Sequence, residues 1–128
     1  MLVSPSEFVA KTKATIKECS VRDVQDCISA GTLLIDIREP AEFARGHLPG
    51  AIWIPRGLLE FEILPAIAQR GTDSDPAECD IVLYCGTGGR SALAAKSLDD
   101  MGFENVRSMD GGIVAWAEAK LPVDLPTA

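Results

Sequence analysis

The stretch Ile81-Val82-Leu83-Tyr84-Cys85-Gly86-Thr87-Gly88-Gly89-Arg90-Ser91 constrains this chain more than any other. Ile81 to Tyr84 is a short apolar run rich in β-formers, and it predicts a buried strand. Ser91 to Met101 has apolar residues at helical spacing and predicts a helix with Ser91 at or near its start. Between them lie Cys85, three glycines and Arg90. A helix N-terminus offers unpaired N–H groups and a partial positive charge. Gly86, Gly88 and Gly89 let the backbone curl so that successive amides point inward, which favours an anion at the centre. With Cys85 there, the thiolate is favoured over the thiol, and the sulfur becomes a nucleophile. Arg90 adds a fixed cation and braces the loop. The competing reading is a cysteine that ends a strand as a small hydrophobe. The glycines, the arginine and the helix start together weigh against it.

Length and charge bound the rest. A chain of 128 residues suits one domain able to bury its own core. Residues 1–15 read as an N-terminal helical extension and 121–128 as a loose tail. The net charge of −7 argues against nucleic acid or an anionic membrane as partner. No apolar run is long enough to span a membrane, and the first residues lack a signal-peptide pattern. The expectation is a cytoplasmic protein with reduced thiols. The four cysteines, Cys19, Cys27, Cys79 and Cys85, form no C-x-x-C pair, and there is one histidine. No metal or organic cofactor is expected. Cys19, Cys27 and Cys79 read as structural thiols.

Taken in order, Ser4-Pro5-Ser6-Glu7 opens a helix to about Ala14. Thr15 to Glu18 reads as an edge strand, and Val21 to Ala30 as a helix closed by Gly31. Leu33 to Ile37 predicts a strand buried on both faces. Ala41 to Ala44 is one helical turn, and Ala51 to Ile54 a strand stopped by Pro55. Leu58 to Gln69 is amphipathic and helical, with Pro65 interrupting or restarting it. Gly71 to Glu78 is a polar turn. After the central strand, loop and helix, Gly102 closes the helix. Val106 to Met109 is a last strand, and Ile113 to Ala119 a final helix. Strands alternating with helices imply an α/β fold, in three layers around a mainly parallel sheet of about five strands. Ligands of such sheets sit beyond the carboxyl ends of the strands. Cys85, Asp36 and Arg38 fall there.

Three stretches together resemble the rhodanese-like family of sulfurtransferases. The first is Asp36-Ile37-Arg38-Glu39-Pro40-Ala41-Glu42-Phe43, continued by Gly46-His47-Leu48-Pro49-Gly50-Ala51. The second is the loop from Cys85 to Arg90, and the third Gly111-Gly112-Ile113-Val114-Ala115-Trp116. The resemblance implies a single-domain member with a persulfide on Cys85, formed from thiosulfate or another sulfane donor. The sulfur then passes to cyanide or a thiol, a protein thiol included. Gly86, Thr87, Gly88, Gly89, Arg90 and Ser91 would hold the anion. Arg38 either helps bind it at the pocket mouth or pairs with Glu39 or Glu42. Asp36 is expected to hold loop amides or Arg38, since a carboxylate beside a thiolate opposes its charge. His47 is expected to fix its turn.

Two rivals remain. A cysteine phosphatase or arsenate reductase of related fold needs C-x-x-x-x-x-R, whereas Arg90 stands one position closer to Cys85. A persulfide carrier or binding module without turnover would also keep the cysteine.

Overall fold

The computed structural model describes residues 1–28, 30–71 and 73–127. Ser4 caps α1 (Pro5–Lys13), its hydroxyl accepting from the Glu7 N–H at 3.2 Å. Strand β1 (Lys17–Cys19) leads to α2 (Val21–Cys27), whose Ser20 and Asp23 satisfy each other's backbone N–H. Then come β2 (Leu33–Asp36), α3 (Pro40–Ala44), β3 (Ile52–Trp53) and α4 (Leu59–Ala68). The chain ends with β4 (Asp80–Tyr84), α5 (Gly89–Met101), β5 (Asn105–Met109) and α6 (Gly112–Glu118). Short 3-10 turns cover Arg56–Leu58 and Pro76–Glu78.

The five strands form one parallel sheet in the order β1-β5-β4-β2-β3. Alternation along β2 and β4 sorts the core into two faces. Leu33, Ile35, Ile81, Leu83 and Cys85 pack with Ile63 of α4 and Leu98 of α5. Leu34, Val82 and Tyr84 pack with Val24 of α2 and Trp116 of α6. Cys85 therefore continues the face that α5 covers. Helix α1 lies on α5, with Val9 beside Gly89.

Several boundaries differ from the sequence reading. Helix α2 ends at Cys27 and not at Ala30; Ser29, in the expected last turn, lies outside the described residues, as does Thr72 of the polar turn. Pro65 does not interrupt α4. The hydrogen bond it removes is the one a residue with an N–H would give the Phe61 carbonyl, and Phe61 is 80% exposed, on the side of the helix turned from the core. Helix α5 starts at Gly89, with Gly88 in the cap position at φ 105°, so Ser91 stands in its first turn, near the start as expected. The tail is docked, not loose. Trp116 Nε1 donates to the Pro122 carbonyl at 2.8 Å, and Asp124 exchanges two backbone bonds with His47. Ala128 lies outside the described residues. Among the described residues no helix is long and apolar enough to cross a membrane.

A buried polar cluster joins β2, β4 and the following loops. Asp36 and Tyr84 are wholly buried, and Arg38 is 5% exposed. Tyr84 Oη donates to Asp36 Oδ2 at 2.7 Å and accepts from the Leu48 N–H at 3.0 Å. Burial, then Asp36, push the Tyr84 phenol well above its ordinary range. Removing that hydroxyl leaves one buried N–H and one carboxylate oxygen each short of a partner. Tyr84→Phe is therefore expected to lower the unfolding free energy by about 1–3 kcal/mol, read from urea denaturation midpoints.

Candidate active site

The loop from Cys85 to Gly88 joins β4 to α5 at the carboxyl end of the sheet. Two main-chain donors reach the sulfur: Gly88 N–H at 3.2 Å and Ser91 N–H at 3.4 Å. Ser91 stands in the first turn of α5, where backbone donors have no partner within the helix. Its hydroxyl lies 3.5 Å from Cys85 Sγ and 2.7 Å from Ser108 Oγ. Ser91 and Ser108 are both wholly buried. The sulfur thus faces two amides and a hydroxyl that Ser108 orients.

The carbonyl side of the loop is held by α6. Ile113 N–H donates to the Cys85 carbonyl at 3.0 Å and Val114 N–H to the Gly86 carbonyl at 3.1 Å. This grip turns the loop carbonyls outward. It depends on Gly112, where a Cβ would stand 2.5 Å from the Cys85 carbonyl oxygen, at a φ of 57°. The paired glycines at the start of α6, Gly111 at its cap and Gly112 as its first residue, are therefore part of the site.

Arg90 reaches across to α3. Nη1 donates to Glu42 Oε1 at 2.7 Å and Nη2 to Glu42 Oε2 at 2.9 Å. Glu42 Oε1 also accepts from the Glu39 N–H at 3.2 Å. The hydrogen bonds to Arg90 hold the Glu42 carboxyl down to about 2. Glu42 in turn raises the Arg90 guanidinium, with Cys85 among the lesser contributors.

The other expected site residues divide clearly. Arg38 is not at a pocket mouth. Nε and Nη2 bind the Asp36 carboxylate, and Nη2 also binds the Gly46 carbonyl at 2.6 Å. Its partner is Asp36, not Glu39 or Glu42, because the two side chains meet inside the fold. Asp36 also accepts from the Arg38 N–H at 2.9 Å. His47 Nδ1 lies 2.8 Å from the Leu48 carbonyl, and the ring stacks on Phe43 at 4.7 Å. Thr87 is exposed, and its hydroxyl does not contact the sulfur. Gly86 and Gly89 give the loop its path, but their amides do not reach Sγ. Cys85 itself is 1% exposed, so the sulfur lies beneath the loop and not on open surface. At about 3.3 Å per residue, β4 holds Cys79 roughly 20 Å from Cys85. Among the described residues no cluster of three or more His, Cys, Asp or Glu could hold a metal. A cavity of about 850 Å³ opens beside β3 between Thr32, Trp53, Glu62 and Arg70, and Cys85 does not line it.

A parallel five-stranded sheet, with a cysteine cradled at the carboxyl end of β4, defines the class. Residues 20–119 match the rhodanese-like domain, and the chain belongs to that family. A sulfurtransferase of Allochromatium vinosum is 37% identical over 94 residues, covering 73% of this chain and 79% of that protein. The chloroplastic thiosulfate sulfurtransferase 16 of Arabidopsis thaliana is 35% identical over 106 residues, covering 80% and 88%. A solved structure from Rhodopseudomonas palustris superposes with a TM-score of 0.81 at 31% identity, covering 97% of this chain and 96% of its own. That protein is described as of unknown function and a possible tyrosine phosphatase.

Sequence reasoning did not find Glu42 as the partner of Arg90, Ser108 behind Ser91, or Gly112 against the loop. Glu42 and Gly112 lay inside the quoted motifs; Ser108 carried no signal. Two outcomes follow. Gly112→Ala is expected to cost about 1–3 kcal/mol of stability and to speed iodoacetamide labelling of Cys85, because the loop must move away from α6. The folded-state value of Glu42 lies below its ordinary 4.5, so the pair's contribution is complete above that pH and drains away as pH falls toward 2. Thermal melts of wild type and Glu42→Gln are expected to differ at neutral pH and to converge near pH 2.

Proposed function

We propose that this protein is a sulfurtransferase that carries a sulfane sulfur as a persulfide on Cys85. The observation that carries the reading is the pair of main-chain donors, Gly88 N–H and Ser91 N–H, aimed at one cysteine sulfur. Such donors stabilise negative charge on the sulfur and on a sulfur bonded to it. The family membership and the sulfurtransferase names of the relatives agree with it.

In the first step the Cys85 thiolate attacks the terminal sulfur of a donor. With thiosulfate, the donor S–S bond breaks, sulfite leaves with the electron pair, and Cys85 holds S–S⁻. With a persulfide R–S–SH, the thiolate R–S⁻ leaves and Cys85 holds S–SH. In the second step cyanide or a thiolate attacks the outer sulfur and the Cys85 thiolate returns. The loop from Gly86 to Ser91 shelters the sulfur, and Arg90 braces it through Glu42. Arg38 and Asp36 act from the interior and touch no substrate.

The phosphatase reading fits less well. The loop is one residue short of C-x-x-x-x-x-R, and both Nη atoms of Arg90 are taken by Glu42. Phosphate release from an aryl phosphate, lost in Cys85→Ser, would reinstate it.

Intact mass spectrometry after exposure to thiosulfate or an alkyl persulfide is expected to show a gain of one sulfur. Cys85→Ala is expected to abolish both the gain and thiocyanate formation. Loading without turnover to any acceptor would instead make the protein a carrier. A wild-type chain that takes up no sulfur from either donor would refute the reading.

A further inference from the structure

The charge around the loop points to the kind of donor it accepts. Arg90 is the one cation between Cys85 and Ser91. Both of its Nη atoms are bound by the two oxygens of Glu42. The carboxylate is held in place by the Glu39 N–H as well. The pair stands over the residue that follows the nucleophile: a Cβ on Gly86 would be 3.1 Å from Arg90 Nη2 and 3.9 Å from Glu42 Oε2. Arg38 offers no replacement charge, since Asp36 and the Gly46 carbonyl consume it. The net charge of the chain is −7. A dianion approaching Cys85 therefore meets a neutralised guanidinium and a fixed carboxylate. A donor with an uncharged body meets no such opposition.

We infer that Glu42 determines donor specificity: by cancelling Arg90 beside the loop, it disfavours dianionic donors such as thiosulfate and favours persulfides on weakly charged carriers. This rests on the reading that Cys85 accepts a sulfane sulfur. The favoured step is attack of the Cys85 thiolate on the terminal sulfur of R–S–SH. The donor S–S bond breaks, R–S⁻ leaves with the electron pair, and the persulfide proton stays on the transferred sulfur.

The test is the rate at which Cys85 gains sulfur, followed by intact mass in wild type and Glu42→Gln. The donors are thiosulfate and the persulfide of 2-mercaptoethanol. Wild type is expected to load faster from the persulfide. Glu42→Gln is expected to raise the thiosulfate rate, and to raise the ratio of the thiosulfate rate to the persulfide rate about tenfold. The thiosulfate gain should shrink at high salt, because the pair is partly exposed and screened. A parallel fall with both donors would mean that Glu42 only braces the loop, and would overturn the assignment. So would an unchanged thiosulfate rate. If neither protein loads from either donor, sulfur transfer itself fails and the specificity assignment falls with it.

Discussion

The close approach of α6 to the Cys85 loop is the constraint on which the site depends. A loop this short has as many carbonyls as amides, and only one set can face the sulfur. The N–H groups of Ile113 and Val114 take the Cys85 and Gly86 carbonyls. The amides of Gly88 and Ser91 are then free to face Sγ. That contact exists because Gly112 brings no Cβ into the gap. The last helix of the chain thus sets the polarity of a loop that precedes it by a helix and a strand.

Around this contact the fold separates two kinds of charge. Asp36 and Arg38 are buried together and bind Tyr84 and the Gly46 carbonyl, so their charges are spent on joining β2, β4 and the loop before β3. Such a buried pair holds geometry more than it adds net stability. Glu42 and Arg90 are half-exposed and lie beside the Cys85 loop. They add little to stability at a screened surface, yet they set the field that an incoming anion meets. The same motif, from Asp36 to Glu42, supplies two residues to the interior and one to the site.

Much of this was legible along the chain. The strand, glycine loop and helix around Cys85 follow from local chemistry, and the structure keeps them adjacent. Asp36 holds Arg38, as the two-residue spacing on one strand end allows. The misreadings were of another kind. Arg38 was expected at the pocket mouth or paired with Glu39 or Glu42, because a lone sequence shows a cation but not the direction in which it is buried. Pro65 was expected to interrupt or restart α4, but the one hydrogen bond it removes lies at Phe61, on the exposed side of the helix. The tail was expected to be loose because its own composition offers no core, while its anchors, Trp116 and His47, belong to other elements.

The sequence alone determined the class of fold, the place of Cys85 at the end of a buried strand and the need for a turn of inward-facing amides, because each rests on residues within a few positions of one another. Only the tertiary structure decided that Arg90 is matched by Glu42, that Ser108 stands behind Ser91, and that Gly112 holds the loop open to the sulfur. Those partners are far apart along the chain and meet only when β2, β4 and β5 lie side by side. Packing, and not local preference, fixes which of many polar groups share one small space.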